Sequence, residues 1–425
     1  MANIQLGYGK DFINFEFDAN RFDVLARLNS KAKPLADSEI NAAIDAPIDS
    51  DSLENAVDAG DSVLIVVSDA TRQTASAQIV NLLVRRLIAN GVMPFDIRVI
   101  FATGIHRQVT QTEKLELLTP FIVQRIKTLD HNPRDLTQIV KFGFTKRGTP
   151  IELNRALIEH DKIILVGGVS FHYFAGFGGG RKLIGAGLAS SKTINETHKL
   201  NFDFETKTRR ENVGTAILSG NPVHEEFIEI IETVSEKINI AFAINSIVDE
   251  NGFAIEVFAG NWRTAHEKAC QIYLENNSVK IAEKRETVIV SCGGSPLDLN
   301  LIQAHKALET AALACAEGGI IIWLARCEDG TGREDFINWF QAETSQKLAT
   351  DLQAKFQVNG QTAWSLLSKA ERFRVFIISE LPESETRRMR LHPARDLNEA
   401  LSTINAASKG YILPFGAKVL PLFGS

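Results

Sequence analysis

The sequence has few cysteines, and none of them lies in a metal-binding arrangement. Its four cysteines, Cys270, Cys292, Cys315 and Cys327, form no CxxC pair, which argues against a zinc ribbon and against a disulfide framework. We interpret them as small buried apolar residues of a protein that resides in a reducing compartment, the cytoplasm.

Long apolar runs and an excess of basic residues are also lacking. The longest apolar run, around Ile320–Ala325, is too short to cross a bilayer and predicts a buried strand. Charges interrupt the N-terminal segment every few residues, so it does not read as a signal peptide. The net charge of −6 provides no basic surface for phosphate backbones. These absences argue against a membrane protein, a secreted protein and a nucleic-acid partner.

What the sequence does contain is an alternation of short β-branched runs with helical patterns. The runs SVLIVVS, IRVIFATG and KIILVGGV each precede a turn or a helix, which predicts parallel strands with helices on both faces. Residues 238–258 instead predict two antiparallel strands joined at Glu250-Asn251-Gly252. The fold class is therefore α/β, and the larger N-terminal domain contains a mixed sheet.

A second domain is expected after a charged helical stretch over residues 266–286. The strands TVIVSCGG, GGIIIWLA and RVFIISEL then alternate with helices, which predicts a smaller, doubly wound, Rossmann-like domain. We place the domains at residues 1–272 and 273–425. The final segment, YILPFGAKVLPLF, has strand character and is compatible with packing on either domain.

The most informative motif is FHYFAGFGGGRKLIGAG, residues 171–187, which directly follows the strand KIILVGGV. Gly178, Gly179 and Gly180 allow backbone amides to approach a phosphate and place Lys182 at the end of the strand. Arg181 and Leu183 flank the lysine, so the motif is not a P-loop. The alternative is a tight turn with an exposed lysine, but its position at the carboxyl end of a strand favours a ligand site.

Two histidines and a charged pair follow other predicted parallel strands. His106 lies in TGIHR, His172 in SFHY, and Asp69 with Arg72 in SDATR. Carboxyl ends of parallel strands are where open α/β sheets bind ligands. Two histidines there would be able to exchange general-base and general-acid roles, and an arginine fork suits a carboxylate. The alternatives are hydrogen-bonded loop histidines and a local ion pair at a helix start.

His198 ends the motif ETH on a helix that begins near Ser190 or Ser191. Its sequence neighbours supply no second metal ligand at the usual spacing, so a protein-only zinc hydrolase site is the least favoured interpretation. Further along, Gln303 and Lys306 lie at i and i+3 in DLNLIQAHKALE. Their helix face either contacts a bound acid or is an ordinary solvated face.

Taken together, SDATR, TGIHR, SFHYFAGFGGGRKLIGAG, ETH and the DLNxxQxHK pattern resemble the ordered motifs of the nickel-dependent lactate racemases. This resemblance spans both predicted domains, to at least residue 340. Ile302 is a departure, because it occupies a position at which that family carries a tyrosine. The chain therefore lacks one phenolic donor near the predicted substrate residues.

The resemblance implies a racemase or epimerase that inverts the α-carbon of lactate or a related 2-hydroxy acid. The cofactor it implies is the nickel pincer nucleotide, nickel bound by pyridinium-3-thioamide-5-thiocarboxylic acid mononucleotide, which takes up and returns the α-hydrogen as hydride. Cofactor-biosynthesis proteins would then be partners, and the smaller domain is expected to close over the site. The alternative is a metal- or nucleotide-binding carrier or sensor without turnover.

The same resemblance assigns a role to each candidate residue. Lys182 would tether the cofactor covalently and His198 would bind the nickel. The residues assigned to catalysis are His106, His172 and Asp69; to the cofactor, Ser68, Gly178, Gly179 and Gly180; and to the substrate carboxylate, Arg72, Gln303 and Lys306.

Overall fold

The computed structural model describes residues 1–27, 32–405 and 407–424. The strands are β1 Ala2–Tyr8, β2 Asp11–Phe17, β3 Phe22–Val24, β4 Val63–Ser68, β5 Ile97–Ala102, β6 Lys127–Asp130, β7 Ile139–Phe144, β8 Pro150–Asn154, β9 Lys162–Gly168, β10 Phe171–His172, β11 Gly176–Phe177, β12 Phe202–Asp203, β13 Thr208–Arg209, β14 Ile240–Val248, β15 Ala254–Gly260, β16 Ser278–Ile281, β17 Arg285–Ser291, β18 Cys315–Leu324, β19 Arg374–Ile378, β20 His392–Pro393, β21 Gly410–Leu413 and β22 Leu420–Phe423.

The helices are α1 Asp37–Asp45, α2 Leu53–Ala56, α3 Ser76–Ala89, α4 Gln111–Arg125, α5 Lys182–Gly185, α6 Ser191–Lys199, α7 Pro222–Val234, α8 Thr264–Asn277, α9 Leu301–Ala314, α10 Ser345–Ala354, α11 Val358–Arg372, α12 Glu383–Arg388 and α13 Leu397–Leu401. Across the described ranges, no helix is both long enough and apolar enough to cross a membrane.

The chain divides into two compact units, each built from separate stretches of sequence. The central unit comprises Lys31–Asn201 and Arg210–Tyr273, and the terminal unit comprises Met1–Ser30, Phe202–Arg209 and Leu274–Ser425. The boundary near residue 273 lies beside the predicted one. Residues 1–27, which we had assigned to the N-terminal domain, belong instead to the terminal unit, and the C-terminal strands β21 and β22 lie in that unit as well.

The central unit contains a six-stranded mixed sheet in the order β15-β14-β9-β4-β5-β6. All neighbouring strands are parallel except β14 and β15, which form the predicted antiparallel hairpin. Every residue of β4 is buried, as expected for a parallel strand that is covered on both faces. On one of those faces lies α3, whose apolar residues recur with helical spacing and are buried.

The terminal unit contains a six-stranded parallel sheet in the order β20-β19-β18-β17-β21-β3. The predicted doubly wound arrangement of this sequence region is confirmed. The N-terminal hairpin β1-β2 packs beside this sheet, because Leu6 and Phe15 share a buried cluster with Ile289, Ile322 and Ile412. A local pattern cannot reveal such partners, since they lie hundreds of residues further along the chain.

One predicted helix ends earlier than expected. Within the charged stretch over residues 266–286, α8 stops at Asn277, and β16 follows it as a strand parallel to β22. The alternating residues Val279 and Ile281 suit a strand, and their pairing partners lie at the C-terminal end of the chain. The strand therefore depends on a distant partner.

Candidate active site

The candidate residues of the central unit follow strands that end at the same edge of its sheet. Ser68 at the end of β4 pairs with Ala102 at the end of β5, and Val67 pairs with Val166 of β9. The loops that begin at Asp69, Thr103 and Val169 therefore leave the sheet side by side. This edge is where open parallel sheets bind ligands.

Asp69 and His106 form a hydrogen-bonded pair across two of these loops. The Nδ1 atom of His106 lies 2.7 Å from Oδ2 of Asp69, and the Asp69 side chain is buried. The other carboxylate oxygen accepts bonds from the amide (2.9 Å) and the hydroxyl (2.6 Å) of Thr71. Burial alone would raise the pKa of Asp69, but His106, Arg72 and Thr71 together hold it below its ordinary range. An ionised Asp69 accepts a hydrogen bond from Nδ1 of His106, so the Nε2 atom of His106 is left as the basic nitrogen.

His172 is held in a different way. It lies in β10, which pairs antiparallel with β11, and its side chain is buried. The Ala175 amide donates a hydrogen bond to Nδ1 of His172 at 3.3 Å. The ring also packs edge-on against Phe174, with 4.4 Å between the centroids. Because Nδ1 accepts, the neutral ring carries its proton on Nε2. The two histidines therefore present opposite protonation patterns.

The glycine-rich loop is packed against buried side chains of the same unit. The amide of Gly178 donates to the carbonyl of Ser170 at 2.8 Å, so it is committed to the fold rather than to a phosphate. Gly180 has a φ of +50° and lies against the ring of His266. Arg181 is buried behind the loop, where Nη2 donates to the carbonyl of Ala175 at 2.6 Å. The glycines at this motif are thus required by close packing as well as by backbone conformation.

Replacing Gly180 with alanine is expected to lower the free energy of unfolding by about 2–4 kcal/mol. The added Cβ would overlap the His266 ring at a positive φ, which combines steric overlap with left-handed strain. The matched control is Gly148→Ala, which has a φ of +82° but nothing near its added Cβ. Urea unfolding should therefore show a clearly smaller loss for the control. Equal losses in the two variants would contradict the packing argument.

Lys182 and His198 lie on consecutive short helices and share one aromatic neighbour. Lys182 begins α5, and its Nζ lies 5.4 Å from the centroid of the Phe174 ring. The buried His198 ring packs edge-on against the same ring, at 5.0 Å between centroids. Burial, and then the nearby Lys182 charge, lower the pKa of His198 to about 3. His198 is therefore a neutral imidazole, the form that binds a metal.

Phe174 was not among the residues predicted from the sequence. Its buried ring contacts His172, His198 and Lys182, three of the candidate residues. The motif FHYF contains the signal, but a sequence alone cannot tell which of its aromatics faces the histidines. Throughout the described ranges, no group of three or more His, Cys, Asp or Glu residues is placed to hold a metal ion.

Gln303 and Lys306 lie in the terminal unit, on the first turns of α9. Asn300 caps this helix, since its side chain accepts a bond from the Gln303 amide at 3.0 Å. The Nζ of Lys306 donates to Oε1 of Gln303 at 2.7 Å, which confirms that the two side chains share a helix face. Ile302 instead packs against the apolar core of the terminal unit.

The chain matches known families and structures over most of its length. Residues 8–209 match the lactate racemase N-terminal domain and residues 280–412 match the lactate racemase C-terminal domain. A lactate racemase of Thermoanaerobacterium thermosaccharolyticum is 30% identical over 436 residues, covering 99% of each chain. A lactate racemase of Lactiplantibacillus plantarum is 33% identical over 342 residues, covering 80% of this chain and 78% of that one.

Two solved structures extend the comparison. The lactate racemase apoprotein of T. thermosaccharolyticum superposes with a TM-score of 0.88 at 28% identity, covering 99% of this chain and 100% of that chain. A Thermotoga maritima protein superposes with a TM-score of 0.71 at 20% identity, covering 92% and 99%, and shares the fold. Because one of these relatives is 30% identical over 99% of both chains, this chain belongs to the lactate racemase family.

Proposed function

We propose that this protein is an isomerase that inverts the α-carbon of a 2-hydroxy acid, lactate or a close relative of lactate. The observation that carries the proposal is the placement of His106 and His172 after two parallel strands, β5 and β9, whose carboxyl ends lie at one edge of the sheet. Inversion of one carbon requires a base for one enantiomer and an acid for the other. The two relatives named lactate racemase support the same substrate class.

The residues near Phe174 fit a nickel pincer nucleotide. His198 is a buried neutral imidazole, the described residues form no larger metal-binding group around it, and Lys182 places an amine beside it. This is the donor set expected when a covalently held cofactor brings most of the metal's ligands itself. Lys182 would hold the cofactor and His198 would bind its nickel. When bound, the cofactor supplies a hydride acceptor and donor for the α-hydrogen.

The protein's own groups then manage the hydroxyl proton of the substrate. Asp69 keeps the Nδ1 proton of His106 in place, so Nε2 of His106 accepts the hydroxyl proton of one enantiomer. For the other enantiomer, the imidazolium form of His172 would donate its Nε2 proton to the keto oxygen and be left neutral. That form carries its second proton on Nδ1, in place of the 3.3 Å contact with the Ala175 amide. In the reverse direction the neutral His172 would accept the hydroxyl proton at Nε2, and the protonated His106 would donate. Arg72 would bind the substrate carboxylate through its planar guanidinium, and Gln303 and Lys306 would add further contacts.

The test is a measurement of intact mass and nickel content after co-expression with the cofactor-biosynthesis proteins. We expect a mass adduct and about one nickel per chain in the wild type, because one lysine, Lys182, would hold the cofactor and one histidine, His198, would bind its nickel. Lys182→Ala should lose both. The matched control is Lys192→Ala, because Lys192 is an exposed lysine on the helix that carries His198. It should load normally.

Loaded protein is then assayed for racemisation of lactate, malate, aromatic 2-hydroxy acids and sugar acids. Racemisation that depends on Lys182 would identify the substrate class. An adduct without turnover on any of these acids would favour a non-catalytic carrier or sensor. Absence of adduct and nickel, in a system that loads a known lactate racemase, would overturn the proposal.

A further inference from the structure

A short connector joins the helix of Lys182 to the helix of His198. The main chain of this connector, residues 187–190, makes three hydrogen bonds to two neighbouring segments of the central unit, the turn after β5 and the strand β8. Its main-chain contacts are Gly104 N to Gly187 O (2.9 Å), Asn154 N to Leu188 O (2.8 Å) and Ser190 N to Glu152 O (2.8 Å). The spacing between the two helices is therefore set by what holds the connector.

One side chain completes this set of bonds. His131 directly follows β6, and its Nε2 lies 3.0 Å from the carbonyl oxygen of Ala189, in the middle of the connector. Its other ring nitrogen, Nδ1, lies 2.9 Å from the Asn154 side-chain amide nitrogen. A carbonyl only accepts and an amide nitrogen only donates, so Nε2 carries the proton and Nδ1 accepts. The ring is 1% exposed, and burial lowers its pKa to about 4, which keeps it neutral.

The main chain of His131 contacts the loop of His106. The Thr103 hydroxyl donates to the carbonyl oxygen of His131 at 3.1 Å, and the His106 amide donates to the carbonyl of Thr103 at 3.0 Å. His131 thus touches both the connector between Lys182 and His198 and the turn that positions His106. None of the motifs in the sequence indicates this link, since His131 and Ala189 lie 58 residues apart.

We propose that His131 is a positioning residue, whose bond to Ala189 sets the placement of Lys182 and His198 relative to His106. This inference rests on the proposed function. Groups that orient metal ligands and catalytic residues typically change metal affinity or activity by about 10–100-fold when they are removed. His131 is expected to act in this way, through the connector and without touching the substrate.

The test compares two conservative variants of the loaded enzyme. Asparagine places its side-chain amide near the Nδ1 position and keeps the contact with Asn154, but it is too short to reach Ala189. Glutamine places its amide nitrogen near the Nε2 position and keeps the donor to Ala189. We expect His131→Asn to lower kcat by about 10–100-fold with little change in KM, and to lose nickel faster to a competing chelator. His131→Gln should recover most of both losses.

A purely structural role is distinguished by Leu87→Ala. Leu87 is buried near the end of α3 that is remote from the Asp69 loop, and its truncation should lower the urea midpoint of unfolding. This control should keep its kcat and its nickel. If His131→Asn behaves like Leu87→Ala, or like the wild type, the inference is wrong. Failure of the wild type to load nickel would instead overturn the proposed function, and this inference with it.

Discussion

Replacing Asp69 with asparagine is expected to lower kcat by roughly 10³–10⁴-fold, the effect of removing a buried carboxylate that fixes a catalytic histidine tautomer. The Thr71 amide and hydroxyl both donate to Oδ1 of Asp69. In the variant they will hold the amide oxygen of the introduced asparagine at that position, so its NH₂ group must face Nδ1 of His106. Nδ1 then becomes the acceptor, and Nε2 carries the proton. A ring in this state cannot accept the hydroxyl proton of the substrate.

The chain offers a matched control for this substitution. Asp135 accepts the same two hydrogen bonds from Thr137, at 3.0 Å from the amide and 2.6 Å from the hydroxyl. Among the hydrogen bonds and ion pairs of the described residues, none joins Asp135 to a histidine, whereas Asp69 is bonded to His106. Asp135→Asn should retain wild-type turnover. The test compares the steady-state rates of Asp69→Asn and Asp135→Asn, both loaded to equal nickel content. Wild-type turnover in Asp69→Asn would show that the tautomer of His106 does not limit the reaction.

The second large effect is a loss of stability in mild acid. Burial lowers the pKa of His131 to about 4, and burial with nearby arginine charge lowers those of His224 and His266 to about 3. In the unfolded chain these rings have a pKa of about 6.5. Above about pH 6.5 these three rings are neutral in both the folded and the unfolded protein. As the pH falls toward 4, the unfolded chain takes up protons that the folded protein cannot, so the free energy of unfolding falls.

At pH 5 the loss is about 2 kcal/mol for each ring relative to pH 7.5, or about 6 kcal/mol for the three. This is comparable with the whole stability of many domains. Urea unfolding of the unloaded protein between pH 7.5 and pH 5 measures this loss in the free energy of unfolding. His131→Gln should reduce the loss by about 2 kcal/mol, the share of this ring. A free energy of unfolding that is equal at both pH values would contradict the prediction.

The sequence alone determined much of the local structure of the site. Each apolar run that we interpreted as a buried strand is one, the hairpin of β14 and β15 forms as predicted, and Ser190 caps the helix of His198. These features depend on neighbouring residues and on the alternation of apolar and polar side chains. The order of strands and helices also places Asp69, His106 and His172 after parallel strands whose carboxyl ends share one edge of the sheet.

The tertiary structure alone decided which groups meet. The tautomer of His106 depends on Asp69, 37 residues earlier, and the glycine-rich loop is shaped by His266, 85 residues after Arg181. The N-terminal hairpin joined the terminal unit for the same reason, since its apolar face is buried against strands that lie hundreds of residues away. A one-dimensional pattern records that a side chain is buried or polar, but strand order and register decide which distant partner it finds.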